Sequence, residues 1–323
     1  MPDQTPAQPI RSLDVLGGAT LPEAYARLAS GGLARRLFEL ARDEDLSTPP
    51  RDLTAEVAVA PGEQRELAVI AREPGVLSGI ACLPELCDVF AGPAGRIAFE
   101  PLALDGSALA PGQRVAVVRG PGRAVLGLER AMLNTLGRLS GIATRTAEFA
   151  ALALGTPARV CDTRKTTPGL RVLEKYAVRC GGGVPHRLGL HDAVLLKDTH
   201  AAGDDLDAFA QRVLNACVRA GDVPAGFVEV EVDTLAQLER VIALADNPGA
   251  RLDAVLLDNF SVPELRSGVA LRDERAPGVV LEATGGVTLE TIAGIARTGV
   301  DRISVGSLTH GARSLDFGLD EPD

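Results

Sequence analysis

The chain has 323 residues, of which 46% are hydrophobic and 3% aromatic, with no Trp. It is longer than one small domain and can bury a large core, which must be aliphatic. A net charge of −10 argues against a general binder of nucleic acid or anionic membrane, and no apolar run approaches the roughly 20 residues of a membrane span.

The opening residues Met1-Pro2-Asp3-Gln4-Thr5-Pro6 are polar and lack a basic-then-apolar signal pattern, so residues 1–12 are expected to be a disordered tail. The five cysteines (Cys82, Cys87, Cys161, Cys180 and Cys217) form no C-x-x-C pair and read as reduced, buried thiols of a cytoplasmic protein. Residues 21–43 carry a helical pattern with Leu28, Leu33, Leu37 and Leu40 as apolar positions. Over 53–120 short alternating runs (66–71 and 114–118) are separated by Pro and Gly, the pattern of a small α+β domain with a mostly antiparallel sheet. A long helix is expected from about Gly127 to Leu154.

From 158 onward strands and helices alternate. The strand candidates are 158–162, 193–197, 227–232, 253–258, 279–283 and 302–306, with helices such as 205–219 and 234–245 between them. Such β/α repeats build either a parallel β/α barrel or a doubly wound sheet. Nearly every strand ends on a polar or charged residue: Asp162, Lys197, Glu231, Asp258, Glu282, Ser304. A barrel brings these ends to one mouth, where active sites sit, so the barrel is the better reading.

Cations gather at these strand ends and loops. Asp162-Thr163-Arg164-Lys165-Thr166-Thr167-Pro168-Gly169-Leu170-Arg171 follows the first strand and leads into a helix expected near Pro168. His186-Arg187 and Lys197 follow. Adjacent cations and hydroxyls before a helix suit a polyanionic small molecule. Lys197 directly follows an apolar run, and a buried ammonium requires a partner or a ligand. Glu229 and Glu231, two apart on a strand, share one face. With Asp258 they could pair with barrel cations or serve a Mg²⁺ that arrives with a pyrophosphate. Thr284-Gly285-Gly286 and Ser304-Val305-Gly306 follow the last strands, where barrels place phosphate sites. No P-loop or dinucleotide fingerprint is present, and the four histidines lack metal-ligand spacing with one another.

These motifs, in order from about Asp45 to Asp316, resemble the quinolinate phosphoribosyltransferases. The likeness rests on Ala71-Arg72-Glu73-Pro74-Gly75-Val76-Leu77-Ser78-Gly79, Glu129 to Asn134, Leu139 to Thr144, residues 162–171, His186-Arg187, Val194 to His200, Glu229 to Val232, Leu257 to Phe260 and Gly299 to His310. The resemblance implies an N-terminal α+β sandwich-like domain (13–130, joined by the C-terminal tail 308–323) and an open, incomplete parallel β/α barrel (131–307). It also implies a homodimer with shared active sites, free to form a higher assembly. The reaction implied converts quinolinate and phosphoribosyl pyrophosphate to nicotinate mononucleotide, pyrophosphate and CO₂, in NAD biosynthesis.

By the same resemblance, Arg130 reaches the partner's quinolinate, and Arg164, His186 and Arg187 hold the pyridine carboxylates. Lys165 and Lys197 line the site toward phosphoribosyl pyrophosphate and take part in catalysis with Glu231 and Asp258. Those two acids serve the ribose hydroxyls and Mg²⁺, while Thr284, Gly285, Gly286, Ser304 and Gly306 take the 5-phosphate. The sequence departs from the family pattern at Pro185 and Thr199, where Asn is usual, at Thr284, where Ser is commoner, and at Arg51, where Gly is. Pro185 removes a backbone donor and fixes φ beside two of these ligand residues.

Two other readings stand beside this one. The first is a class I aldolase-like enzyme with Lys197 as Schiff-base nucleophile. The second is a non-catalytic relative of the family, such as a molybdenum-uptake accessory protein or a metabolite-binding module. The intact cation set and both acids argue against lost catalysis.

Overall fold

The computed structural model describes residues 13–14, 16–91 and 95–321; the tail expected over 1–12 lies outside the described residues. The chain divides into two units, each assembled from separated stretches. In chain order the first elements are α1 (Leu21–Ala29), α2 (Leu33–Leu46), α3 (Leu53–Ala58), β1 (Gln64–Ala71), β2 (Gly75–Val76) and α4 (Leu83–Ala91). Next come β3 (Ala98–Pro101), β4 (Ala108–Leu109), β5 (Gln113–Pro121) and the long α5 (Gly122–Ala153). The alternating part comprises β6 (Arg159–Cys161), α6 (Arg171–Cys180), β7 (Val194–Leu196), α7 (Leu206–Arg219), β8 (Val228–Val232) and α8 (Leu235–Ile242). It continues through β9 (Ala254–Asp258), α9 (Val262–Arg275), β10 (Val280–Thr284), α10 (Leu289–Ala296), β11 (Arg302–Ser304), α11 (Ser307–His310) and β12 (Phe317–Asp320).

One unit contains residues 18–148, 165–183 and the chain from Gly306. Its main sheet has the order β12-β1-β5-β3 and is antiparallel throughout. The C-terminal strand pairs with β1, Ala68 opposite Asp320 and Ala71 opposite Phe317. The single helical pattern expected over 21–43 is two helices. They separate at Gly31-Gly32, where Gly32 takes φ +70°, a conformation that needs glycine and ends a right-handed helix. α1 starts on a capping box, Thr20 N donating to Glu23 Oε2 at 2.8 Å. The helix expected near Pro168 begins instead at Arg171, because Thr167 to Leu170 close a turn, with Leu170 N donating to Thr167 O at 3.0 Å.

The other unit contains the stretch up to Gly17, 149–164 and 184–305. Its six-stranded sheet has the order β6-β11-β10-β9-β8-β7, and every pair is parallel. A doubly wound sheet reverses its order at a switch point. Here β7 to β11 run in unbroken sequence and β6 adjoins β11, which is the order of a barrel left open between β6 and β7. Strands β8 to β11 are buried nearly throughout, as a parallel sheet covered on both faces requires, while the edge strand β7 is only half-buried. Leu13 packs with Ala193, Phe227, Ala254 and Val280, at the N-terminal ends of β7 to β10. The helices after the strands start on side-chain caps: Asp205 accepts from Ala208 N at 2.9 Å, Thr234 pairs with Gln237, and Ser261 with Glu264. Each cap fixes where a strand end gives way to its helix. Among the described residues no helix is long and apolar enough to cross a membrane, and all five cysteines are free and buried.

Candidate active site

The mouth of the open barrel is built from the strand ends. Lys197 follows β7 and donates from Nζ to Glu231 Oε2 of β8 at 2.5 Å. The sequence left open whether this ammonium is buried; its side chain is 40% exposed, and the partner it required is Glu231. Burial pushes the Glu231 carboxyl above its ordinary range, Lys197 opposes the shift, and Asp258 and Asp198 add to it. Two further carboxylates, Asp258 and Asp198, thus lie near enough to Glu231 to disfavour its ionisation.

Asp258 ends β9. Its Oδ2 accepts from Asn259 Nδ2 at 2.9 Å, while Asn259 N donates to Thr284 O, at the end of β10, at 3.0 Å. The next residue, Gly285, has φ +95°, and a Cβ placed there would stand 2.2 Å from Asn259 Oδ1. The loops after β9 and β10 therefore meet backbone to backbone, and Gly285 permits it.

Arg187 is buried, and its pKa is lowered first by burial and then by the neighbouring Arg164. Arg164 lies near enough to oppose the charge on Arg187, while Glu229, Asp192 and Glu231 favour it. Holding like charges together is unfavourable, and an anion between them removes the penalty.

One layer deeper lies a second group that the sequence did not bring together. Glu229, Glu282 and Arg302 each sit two residues before a mouth residue (Glu231, Thr284, Ser304), so they point to the same face one step further in. Glu282 and Arg302 are register partners on β10 and β11, and Arg302 Nε donates to Glu282 Oε2 at 2.6 Å. His186 Nε2 lies 3.0 Å from Glu229 Oε2 and 3.3 Å from Glu282 Oε1, and its ring meets Phe227 edge-on at 5.5 Å. Burial opposes a charge on His186 and the facing Glu282 and Glu229 favour one, but the hydrogen bond accepted at Nδ1 keeps the ring neutral. Burial likewise opposes ionisation of Glu282, yet His186 and Arg302 hold it below the usual carboxylate range. Arg187 N donates to His186 Nδ1 at 2.7 Å, which makes Nδ1 the acceptor and leaves the ring proton on Nε2, between the carboxylates.

His186, Glu229 and Glu282 could be read as a metal centre, since their ligand atoms lie within 4.8 Å of one another. The tautomer and the adjacent Arg302 speak against it: Nε2 carries a proton, and a guanidinium occupies the neighbouring position. The group reads better as an internally paired charge layer.

Lys165 and Gly306 belong to the other unit, as does Arg130. There Thr309 Oγ1 donates to Lys165 O at 2.7 Å, and Glu174, fully buried, accepts from Thr167 N and from Arg138, fixing the loop that carries Lys165. Arg130 is exposed on α5 and lines a cleft with Leu37, Phe38, Asn134 and Arg138. Ser304 is buried, while Thr284 and Gly286 are open to solvent to differing degrees. Lys197 is solvent-accessible and engaged by Glu231, unlike the desolvated amine that a Schiff-base enzyme uses.

Residues 52–140 match the model of the quinolinate phosphoribosyl transferase N-terminal domain, and residues 142–320 match that of its C-terminal domain. The chain belongs to the quinolinate phosphoribosyltransferase family. A nicotinate-nucleotide pyrophosphorylase (carboxylating) of Mycobacterium leprae is 43% identical over 288 residues, covering 89% of this chain and 96% of the relative. A probable nicotinate-nucleotide pyrophosphorylase (carboxylating) of Bacillus subtilis is 38% identical over 280 residues, 86% of this chain and 89% of that one. Among solved structures, the nicotinate-nucleotide pyrophosphorylase of Francisella tularensis superposes with a TM-score of 0.76 at 33% identity, covering 90% of this chain and 96% of its own. The match thus runs along nearly the whole length of the Mycobacterium leprae and Francisella tularensis proteins.

Proposed function

We propose that this chain joins the ring nitrogen of quinolinate to C1 of phosphoribosyl pyrophosphate, expels pyrophosphate and releases CO₂, forming nicotinate mononucleotide in NAD biosynthesis. Family membership supports the reaction class. The observation that carries the substrate is the repelling pair Arg164 and Arg187 at the barrel mouth. A pyridine with adjacent carboxylates offers one anionic group to each of two guanidiniums, and a carboxylate is the partner that arginine's planar fork matches.

In this reading Arg164 and Arg187 grip the carboxylates directly. His186, whose two ring nitrogens are already engaged, contributes by holding the Arg187 backbone. Positive charge develops at C1 as the bond to pyrophosphate breaks, and the carboxylates of Glu231 and Asp258 face that charge. Lys197 takes the charge growing on pyrophosphate, and the loops at Thr284-Gly285-Gly286 and Ser304 receive the 5-phosphate. Once the nitrogen is quaternised, the electron pair left by departing CO₂ stays on the ring carbon beside the positive nitrogen, which stabilises it, and a proton then bonds to that pair in place of the lost carboxylate. The protein mainly positions the reactants.

The acidic donor set around Glu231 fits a Mg²⁺ arriving with phosphoribosyl pyrophosphate; Glu231 and Asp258 would hold it, and it would offset pyrophosphate charge. The five free, buried cysteines accord with a reducing cytoplasm. A homodimer with shared sites completes the proposal, Arg130 reaching the quinolinate of the second copy. Mixing the inactive Arg130→Ala and Arg187→Ala proteins should then restore roughly a quarter of wild-type activity, because one site in each mixed dimer is intact. No recovery would remove the shared site.

The reaction itself is tested by incubating the purified protein with quinolinate, phosphoribosyl pyrophosphate and Mg²⁺. Nicotinate mononucleotide and CO₂ should appear together. A folded protein that makes neither would overturn the assignment.

A further inference from the structure

The sheet is open at β6, and the stretch that covers this edge is not a strand of the sheet. Val184 forms an isolated parallel bridge with Cys161, Val184 N donates to Val160 O at 2.9 Å, and Asp162 N lies 3.4 Å from Val184 O. The next amide that faces β6 is that of His186, and it donates to Asp162 Oδ1 at 2.8 Å. Alternate amides of an extended segment point to opposite sides, so Pro185 lacks its N–H on the side away from β6. The proline therefore leaves this stitching intact.

Asp162 is fully buried. It stands two residues before Arg164 and grips the residue before Arg187. The His186 ring then accepts from Arg187 N at 2.7 Å, so the connection runs from the Asp162 carboxylate through the His186 backbone and ring to the Arg187 backbone. In a closed barrel a ladder of strand hydrogen bonds would fix the spacing of two adjacent strand ends. Across this open edge a carboxylate takes over part of that task.

We infer that Asp162 is a positioning residue for quinolinate: its Oδ1 sets the spacing of Arg164 and Arg187 across the open edge of the barrel. The inference rests on the proposed reading that these two arginines grip the substrate's carboxylates. What the role requires of Asp162 is a hydrogen-bond acceptor, not a charge. Asp162→Asn keeps an acceptor oxygen of the same reach, whereas Asp162→Ala leaves the His186 amide buried without one.

The experiment is calorimetric titration of quinolinate into wild type, Asp162→Asn, Asp162→Ala and Arg187→Ala, with phosphoribosyl pyrophosphate plus Mg²⁺ titrated into each as a control. Asp162→Ala should bind quinolinate about 10- to 100-fold more weakly, the loss expected for a hydrogen bond to a charged acceptor, and Asp162→Asn should stay within about fivefold of wild type. Binding of phosphoribosyl pyrophosphate should hold nearly constant in both. If Asp162→Ala does not fold, Asp162→Asn decides: a folded Asn variant as weak as Arg187→Ala means that charge, not acceptance, is what Asp162 supplies, and the inference fails. It fails too if Asp162→Ala binds quinolinate as wild type does, or if it loses both ligands equally. Wild type that binds no quinolinate would instead sink the underlying substrate reading, a separate outcome.

Discussion

Two layers of charge lie one above the other inside the open barrel, and they are balanced differently. In the deeper layer His186, Glu229, Glu282 and Arg302 are buried, with acids and bases facing one another at 2.6–3.3 Å. At the mouth, like charges also stand near one another: Arg164 disfavours the charge on Arg187 while Glu229, Asp192 and Glu231 favour it, and Asp258 and Asp198 disfavour ionisation of Glu231 while Lys197 favours it. A buried set in which acids face bases serves the fold, although both Glu229 oxygens, Glu282 Oε1 and Arg302 Nη2 lack a hydrogen-bond partner among the described residues. A set in which like charges crowd together at the strand ends is suited to ligands that relieve the crowding, an anion for the arginines and a cation for the acids.

If the layers divide the work this way, substitutions in each should separate stability from activity. The largest effect is expected in the deep layer. Glu282→Ala strands Arg302 in the interior and should cost about 3–5 kcal/mol of stability, read as a lower melting temperature and a lower urea midpoint. Next comes Arg187→Ala, which should lower quinolinate affinity about 100-fold while leaving phosphoribosyl pyrophosphate affinity largely intact. Equal losses for the two ligands would merge functions that the structure keeps apart. Arg164→Ala should follow the same pattern.

Gly285→Ala should have a smaller effect. The added methyl meets Asn259 in a left-handed conformation, a strain of about 1–3 kcal/mol. It should raise the KM for phosphoribosyl pyrophosphate more than that for quinolinate; steady-state kinetics with each substrate varied would show the reverse if this loop served the pyridine.

The smallest effect concerns pH. Glu231 must be ionised to face a cation, and its pKa lies above the ordinary carboxylate range because burial outweighs Lys197. The acid limb of kcat/KM for phosphoribosyl pyrophosphate should therefore lie above the usual carboxylate range. Lys197→Ala removes an opposing charge and should move the limb to higher pH, and Asp258→Asn removes a like charge and should move it lower. Shifts of the same sign in both variants would mean that the limb belongs to another group.

The mouth was far more legible in the sequence than the layer beneath it. Strand-end residues such as Lys197, Glu231 and Asp258 announce themselves because each interrupts an apolar run, and these same polar strand ends, added to the alternation of strands and helices, decided for the barrel. The open edge came from family resemblance, not from periodicity. Arg302 gave no signal, since it opens a strand like many surface cations, and its pairing with Glu282 exists only once β10 and β11 are in register. The roles of Asp162 and His186 stayed hidden for the same reason: the bond between them spans 24 residues and depends on an irregular stretch covering the edge of β6. Local pattern likewise could not locate the start of α6, because the residues around Pro168 suit a turn as well as a first helical turn.

The most direct test of the division between the layers is a thermal melt of wild type and Arg187→Ala, each with and without quinolinate. Removing a buried guanidinium that Arg164 repels should leave the unliganded variant melting no lower than wild type. Quinolinate should raise the melting temperature of wild type and leave that of the variant unchanged. A variant that melts well below wild type, yet is still stabilised by quinolinate, would place Arg187 with the structural layer and contradict the account.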